Sequence, residues 1–140
     1  MLEIKIPAQV ECLDEVLEFV ETAISSHGVE GLDRKFNINI NIAIEEIFVN
    51  IANYAYPSGG GDINVSVEFS ADGLIIEFSD SGIPYNPLEK DDPDTTLSAE
   101  DREIGGLGIY MVKQMMDNIT YRYENNSNIL TLFKKWRNGV

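Results

Sequence analysis

The stretch "FNININIAIEEIFVNIANYAYP", residues 36–57, decides the fold. Its opening alternates polar and apolar residues with the period of a strand. The continuation "AIEEIFVNIANYA" breaks that period. At about 100° per residue a helical register organises the whole segment. Asn39, Glu46, Asn50 and Asn53 then gather in one narrow stripe, and Asn37, Asn41 and Glu45 lie on the opposite side. Every other position from 38 to 52 is apolar. Such a β-branched helix is intrinsically mediocre, so packing must hold it. The first stripe has two readings. It is the hydrated edge of a core helix, or it is a polar slot for a ligand. In the slot, Asn50 offers a neutral oxygen suited to a hard cation, and Glu46 a carboxylate able to act as a base.

Working outward, "LEIKIPA" alternates Leu2, Ile4 and Ile6 and reads as a strand ended by Pro7. Val10, Leu13, Val16, Leu17, Val20 and Ile24 recur at helical spacing, with a stop at His27-Gly28 and a cap for the next helix at Asp33. After the break "PSGGGD", the segments "INVSVEF" and "LIIEFSD" form a hairpin across "SADG". Residues 83–104 are polar and proline-containing and read as a long loop. "GGLGIYMVKQMMD" is a glycine turn entering a helix, and "ITYRYENNSNILTLFKKW" is a closing hairpin turning near "NNSN". The order is strand, two helices, two strands, loop, helix, two strands. It predicts one domain over 1–140, an α+β two-layer sandwich with helices on one face of a mixed, mainly antiparallel sheet.

The composition agrees. A chain of 140 residues with 44% hydrophobic residues can bury a core without staples. Cys12 is the one cysteine, so no internal disulfide forms. With no apolar run of membrane-spanning length and no basic-then-apolar start, the reading is a cytoplasmic protein that needs no membrane. A formal net charge of −14 repels phosphate backbones, so direct nucleic-acid binding is not expected. The same charge favours a basic protein partner or serves only solubility.

Two further motifs carry chemistry. "DSGIP", Asp80 to Pro84, ends a strand. It is either a plain turn or a base-recognition site, since an ionised carboxylate accepts hydrogen bonds only and selects the adenine amine over a guanine carbonyl. "GGLGIYMV", Gly105 to Val112, either enters the helix flexibly or brings backbone N–H groups and a helix dipole to an anion. It lacks the Walker lysine and the dinucleotide fingerprint. "DDPDTTLSAED" lacks the glycine of an EF-hand loop and reads as solvated. His27 reads as a helix-end residue. Cys12 and Trp136 read as packing or surface.

In this order, Glu-x₃-Asn on a helix, Asp-x-Gly-x-Pro, a long loop, and Gly-x-Gly at a helix start resemble the GHKL (Bergerat) ATP-binding fold. "IEEIFVNIANYAYP", "DSGIPYNPL" and "GGLGIYMVKQMMD" resemble its bacterial anti-sigma factor and serine kinase branch, the RsbW and SpoIIAB type. The resemblance implies ATP and Mg²⁺ as cofactors. It makes Asn50 the metal ligand and Glu46 the general base toward a serine hydroxyl. It puts Asp80 on the adenine amine, with Gly82 letting the base approach. Gly106 and Gly108 would line the phosphates, residues 85–104 would be a lid, and Thr131 would stand near the base. Asn53 is counted with the cofactor-binding residues, near positions where relatives often carry histidine or another polar residue. The lid holds seven acidic residues against Lys90 and Arg102. Arg102 is assigned to the γ-phosphate, ahead of Lys113. The implied partners are a sigma factor and a STAS-type anti-anti-sigma protein, with the chain as a homodimer in partner-switching control of transcription. The alternative is a catalytically silent ATP-binding switch.

Overall fold

The structure is a computed structural model and describes residues 1–28, 34–89 and 106–136. Asp33, Lys90, Arg102 and most of the expected lid lie outside the described residues. The chain runs β1 (Leu2–Pro7), α1 (Leu13–His27), α2 (Arg34–Tyr54), β2 (Asp62–Phe69), β3 (Gly73–Asp80), α3 (Gly106–Met115), β4 (Asn118–Glu124) and β5 (Ser127–Lys135). The five strands form one sheet in the order β1-β2-β3-β5-β4. All four pairings are antiparallel.

The 36–54 segment is helical, as its second periodicity requires. Phe36, Ile40, Ala43, Ile44, Ile47 and Phe48 are the buried residues of α2. That is the i, i+4, i+7 spacing of one face. Asn37, Asn41 and Glu45 are exposed. Val16, Val20, Ala23 and Ile24 of α1 and Ile109 and Val112 of α3 join the same cluster. Against them the sheet sets rows such as Val65–Phe78–Leu130 and Val67–Ile76–Leu132, fixed by register. Because side chains alternate along a strand, Glu77 and Thr131 between those rows face away from the helices. There the Thr131 hydroxyl donates to Glu77 at 3.2 Å, and Arg122 stands 3.8 Å from the same carboxylate.

The turns follow local chemistry. Asn125 and Asn126 carry φ of 52° and 62° between β4 and β5, the two-residue left-handed turn that asparagine tolerates. Ser70 N–H donates to Gly73 O at 2.9 Å, closing the β2–β3 hairpin. At that end of the sheet, His27, Phe69 and Trp136 stack. The His27 and Phe69 centroids are 4.0 Å apart with planes 5° from parallel. The Trp136 indole donates to Ser70 O at 2.9 Å.

α3 is fastened at its far end by a buried cation. Lys134 is 4% exposed, and its ammonium donates to Met115 O at 2.7 Å. A positive charge at a helix C-terminus satisfies a carbonyl and opposes the helix dipole. Lys134→Ala removes this cap and the packing of the aliphatic stem. It is expected to lower unfolding free energy by about 2–3 kcal/mol, read as a lower denaturant midpoint with an unchanged slope.

Candidate functional site

The polar stripe of α2 lies on the side that faces α3. Asn39, Glu46 and Asn50 are half-buried and Asn53 is exposed. Glu46 sits against the first turn of α3. A Cβ placed on Gly108 would stand 2.0 Å from Glu46 Oε2. The missing side chain at 108 is therefore what admits the carboxylate. Gly106 is the first residue of α3, so the free N–H groups of this helix open beside Glu46.

One turn beyond Glu46, Asn50 lines a cleft floored by Ile47, Phe78 and Leu130. Its side chain has no hydrogen-bond partner among the described residues. The cleft has a volume of about 30 Å³, and the polar groups that line it include Asp80 and Asn128. Asp80, the last residue of β3, is 6% exposed. Its Oδ1 accepts from Gly82 N–H at 2.9 Å and from Asn128 Nδ2 at 2.9 Å. Oδ2 has no partner among the described residues, so one acceptor of this cleft-lining carboxylate is left over. Burial raises the Asp80 pKa above the usual carboxylate range, and the hydrogen bonds from Asn128 and Gly82 oppose that rise.

Asn128 is the residue that sequence reasoning missed. Its amide makes four hydrogen bonds. Nδ2 donates to Asp80 and to Ile83 O at 2.8 Å. Oδ1 accepts from Tyr85 N–H at 3.0 Å and from the Tyr121 hydroxyl. A buried amide with both donors and both acceptor positions used is rigidly specified. Thr131, expected near the base, is on the same strand. It lies three positions on, an odd step, so it projects from the opposite face of the sheet. Asn128, not Thr131, lines the cleft.

Gly82 also has a more specific role than expected. A Cβ there would stand 2.1 Å from Ala55 O. The close approach that the structure shows is to the chain leaving α2. Asn53 lies outside the lining of the cleft.

The structure thus brings Asn50 and Asp80 into one cleft, with Glu46, Gly106 and Gly108 beside it at the start of α3. Residues 6–134 match the family described as the histidine kinase-like ATPase domain. The chain belongs to that family.

Relatives of this histidine kinase-like ATPase domain include the serine-protein kinase RsbW of Bacillus mycoides. It is 27% identical over 92% of this chain and 81% of its own length. The anti-sigma F factor of Clostridium acetobutylicum is 26% identical over 96% of this chain and 95% of its own. Among solved structures, the RsbU and RsbW domains of a Mycobacterium tuberculosis protein align with a TM-score of 0.62 at 14% identity. They cover 97% of this chain, which spans 32% of that one. The catalytic domain of histidine kinase ThkA aligns over 99% of both chains with a TM-score of 0.56 at 14% identity. These structures share the fold, with its helices on one face of an antiparallel sheet.

No group of three or more His, Cys, Asp or Glu able to hold a metal occurs among the described residues. A resident ion held by side chains alone does not fit them. A Mg²⁺ ion arriving with phosphates does, because it keeps several waters and takes one or two protein oxygens. The Asn50 amide oxygen, without a partner among the described residues, suits that role.

Proposed function

We propose that the chain is an ATP-dependent serine/threonine-protein kinase and anti-sigma factor. On this reading it phosphorylates a STAS-type anti-anti-sigma protein and, as a cytoplasmic homodimer, switches between that protein and a sigma factor. The observation that carries the nucleotide reading is Asp80. It is a buried carboxylate in the lining of an apolar cleft, with one oxygen pinned by two donors and the other without a partner among the described residues. That is an acceptor for a single amine proton, which an adenine N6 amine supplies and a guanine O6 does not.

The residues divide the chemistry along α2. Asp80 accepts the base amine while Ile47, Phe78 and Leu130 face the ring. The N–H groups at the start of α3, from Gly106 to Gly108, meet the phosphates. Asn50 would hold Mg²⁺, which when bound would offset the charge that builds on the phosphoryl oxygens. Glu46 takes the proton from the partner's serine hydroxyl as its oxygen bonds to the γ-phosphorus. The bond from that phosphorus to the bridging oxygen breaks, and ADP leaves. Arg102 and residues 85–104 belong to this reading as the γ-phosphate partner and the lid.

Mg-ATP at 100 times its dissociation constant is expected to add about 2.7 kcal/mol of stability. A thermal melt with and without Mg-ATP reads this directly. Transfer of labelled γ-phosphate to a serine of a STAS protein tests the kinase half. No shift in the melt would sink the nucleotide reading. A shift without transfer would leave a silent switch.

A further inference from the structure

The loop after α2 does more than connect it to β2. The Tyr56 hydroxyl accepts from Ser81 N–H at 2.8 Å and donates to Asp62 O at 2.7 Å. One residue earlier, Ala55 O accepts from Ile83 N–H at 2.9 Å. Gly82 lies between these two bonds, against Ala55 O. The turn after Asp80 is therefore fastened on both sides of Gly82 to the end of α2. The Tyr56 ring lies over Gly61, where a Cβ would stand 2.1 Å from its Cζ. Burial holds the Tyr56 pKa above its ordinary value, so the hydroxyl keeps its proton and remains a donor to Asp62.

From this we infer that Tyr56 is a positioning residue for base recognition. Its hydroxyl fixes the backbone at Ser81, and with it the direction in which Asp80 presents its open oxygen. Gly82 N–H reaches Asp80 Oδ1 only while that turn keeps its shape. If Ser81 is released, the donor that pins Oδ1 shifts and Oδ2 is no longer held toward the cleft. The inference rests on the ATP-site reading above. It adds that α2 and the Asp80 turn form one unit, so the distance between the base end and the phosphate end of the site is fixed.

The test is Tyr56→Phe, which keeps the ring over Gly61 and removes only the hydroxyl. Binding is measured by calorimetry with Mg-ATP and with Mg-purine riboside triphosphate, which lacks the exocyclic amine. The variant is expected to bind ATP about tenfold more weakly, the effect of losing roughly one hydrogen bond. Its affinity for the amine-free analogue should change by less than about twofold, because Asp80 contributes little there. Tyr56→Phe in an Asp80→Asn background should then cost almost nothing more. Equal weakening of both nucleotides would reduce Tyr56 to a general structural strut and overturn the inference. Unchanged ATP binding would overturn it as well. A wild-type protein that binds neither nucleotide would instead remove the ATP-site reading itself.

Discussion

Asp80→Asn is expected to weaken Mg-ATP binding by about 10²–10³-fold while leaving the fold intact. The two donors that meet Oδ1, from Gly82 and Asn128, are fixed by backbone and by a saturated amide. An asparagine at 80 must turn its oxygen toward them. Its NH₂ then occupies the place of Oδ2 and faces the base as a donor. ATP loses a charge-assisted hydrogen bond, worth about 1.5–3 kcal/mol, and its amine meets another amine. A nucleotide with a carbonyl at that position, inosine or guanosine triphosphate, should gain relative to ATP. Competition calorimetry reads both effects. A variant that binds ATP as well as the wild type would remove Asp80 from base recognition.

The pH dependence follows from the same burial. Asp80 has a raised pKa in the folded protein. Its protonated form is the one the fold favours, so its stabilising contribution is complete at low pH and is lost as pH rises through the folded value. Near neutrality the ionised carboxylate costs stability. Asp80→Asn removes that cost, so the nucleotide-free variant should melt no lower than the wild type. ATP affinity runs the other way. It should fall on acidification, at a higher pH than an unburied aspartate would give, as Asp80 gains a proton and stops accepting.

Glu46→Gln should leave ATP binding within about threefold and lower the rate of phosphate transfer by about 10²–10⁴-fold. The side chain keeps its length beside Gly108, so the first turn of α3 keeps its place. What is lost is the proton acceptor, and a serine hydroxyl is a poor nucleophile without one. Single-turnover transfer with saturating ATP separates this from a binding defect. Transfer at the wild-type rate would assign the base role elsewhere.

Much of this was legible from residue order. α2 was readable because a 21-residue helix samples its periodicity many times over, which outvotes a short alternating start. Glu46, Asn50 and Asp80 stood out as polar residues in apolar surroundings, and burial gives them that meaning. β5 was harder. "NILTLF" is apolar on both parities, because Ile129 and Phe133 on the outer face are as hydrophobic as Leu130 and Leu132 on the inner one. With no contrast between faces, nothing in the pattern says which side Thr131 takes. Asn128, beside the turn, looked like turn chemistry. Tyr56 was hidden for another reason, since its partners are backbone groups of residues 62 and 81, and main-chain partners leave no trace in a sequence.

The stacked Trp136 has a practical consequence. It is the chain's one tryptophan, and it lies just past the end of β5, eight residues from Asn128. At about 3.3 Å per residue that is roughly 26 Å along the strand. Its emission depends on stacking with Phe69 and His27 and on the bond to Ser70, none of which touches the cleft. Emission excited selectively at tryptophan should therefore report cooperative loss of the fold and stay silent when the cleft, with its Tyr85 and Tyr121, fills. The chain carries a built-in optical gauge of its integrity at the end remote from its chemistry, so folding and occupancy can be followed in one sample without one signal contaminating the other.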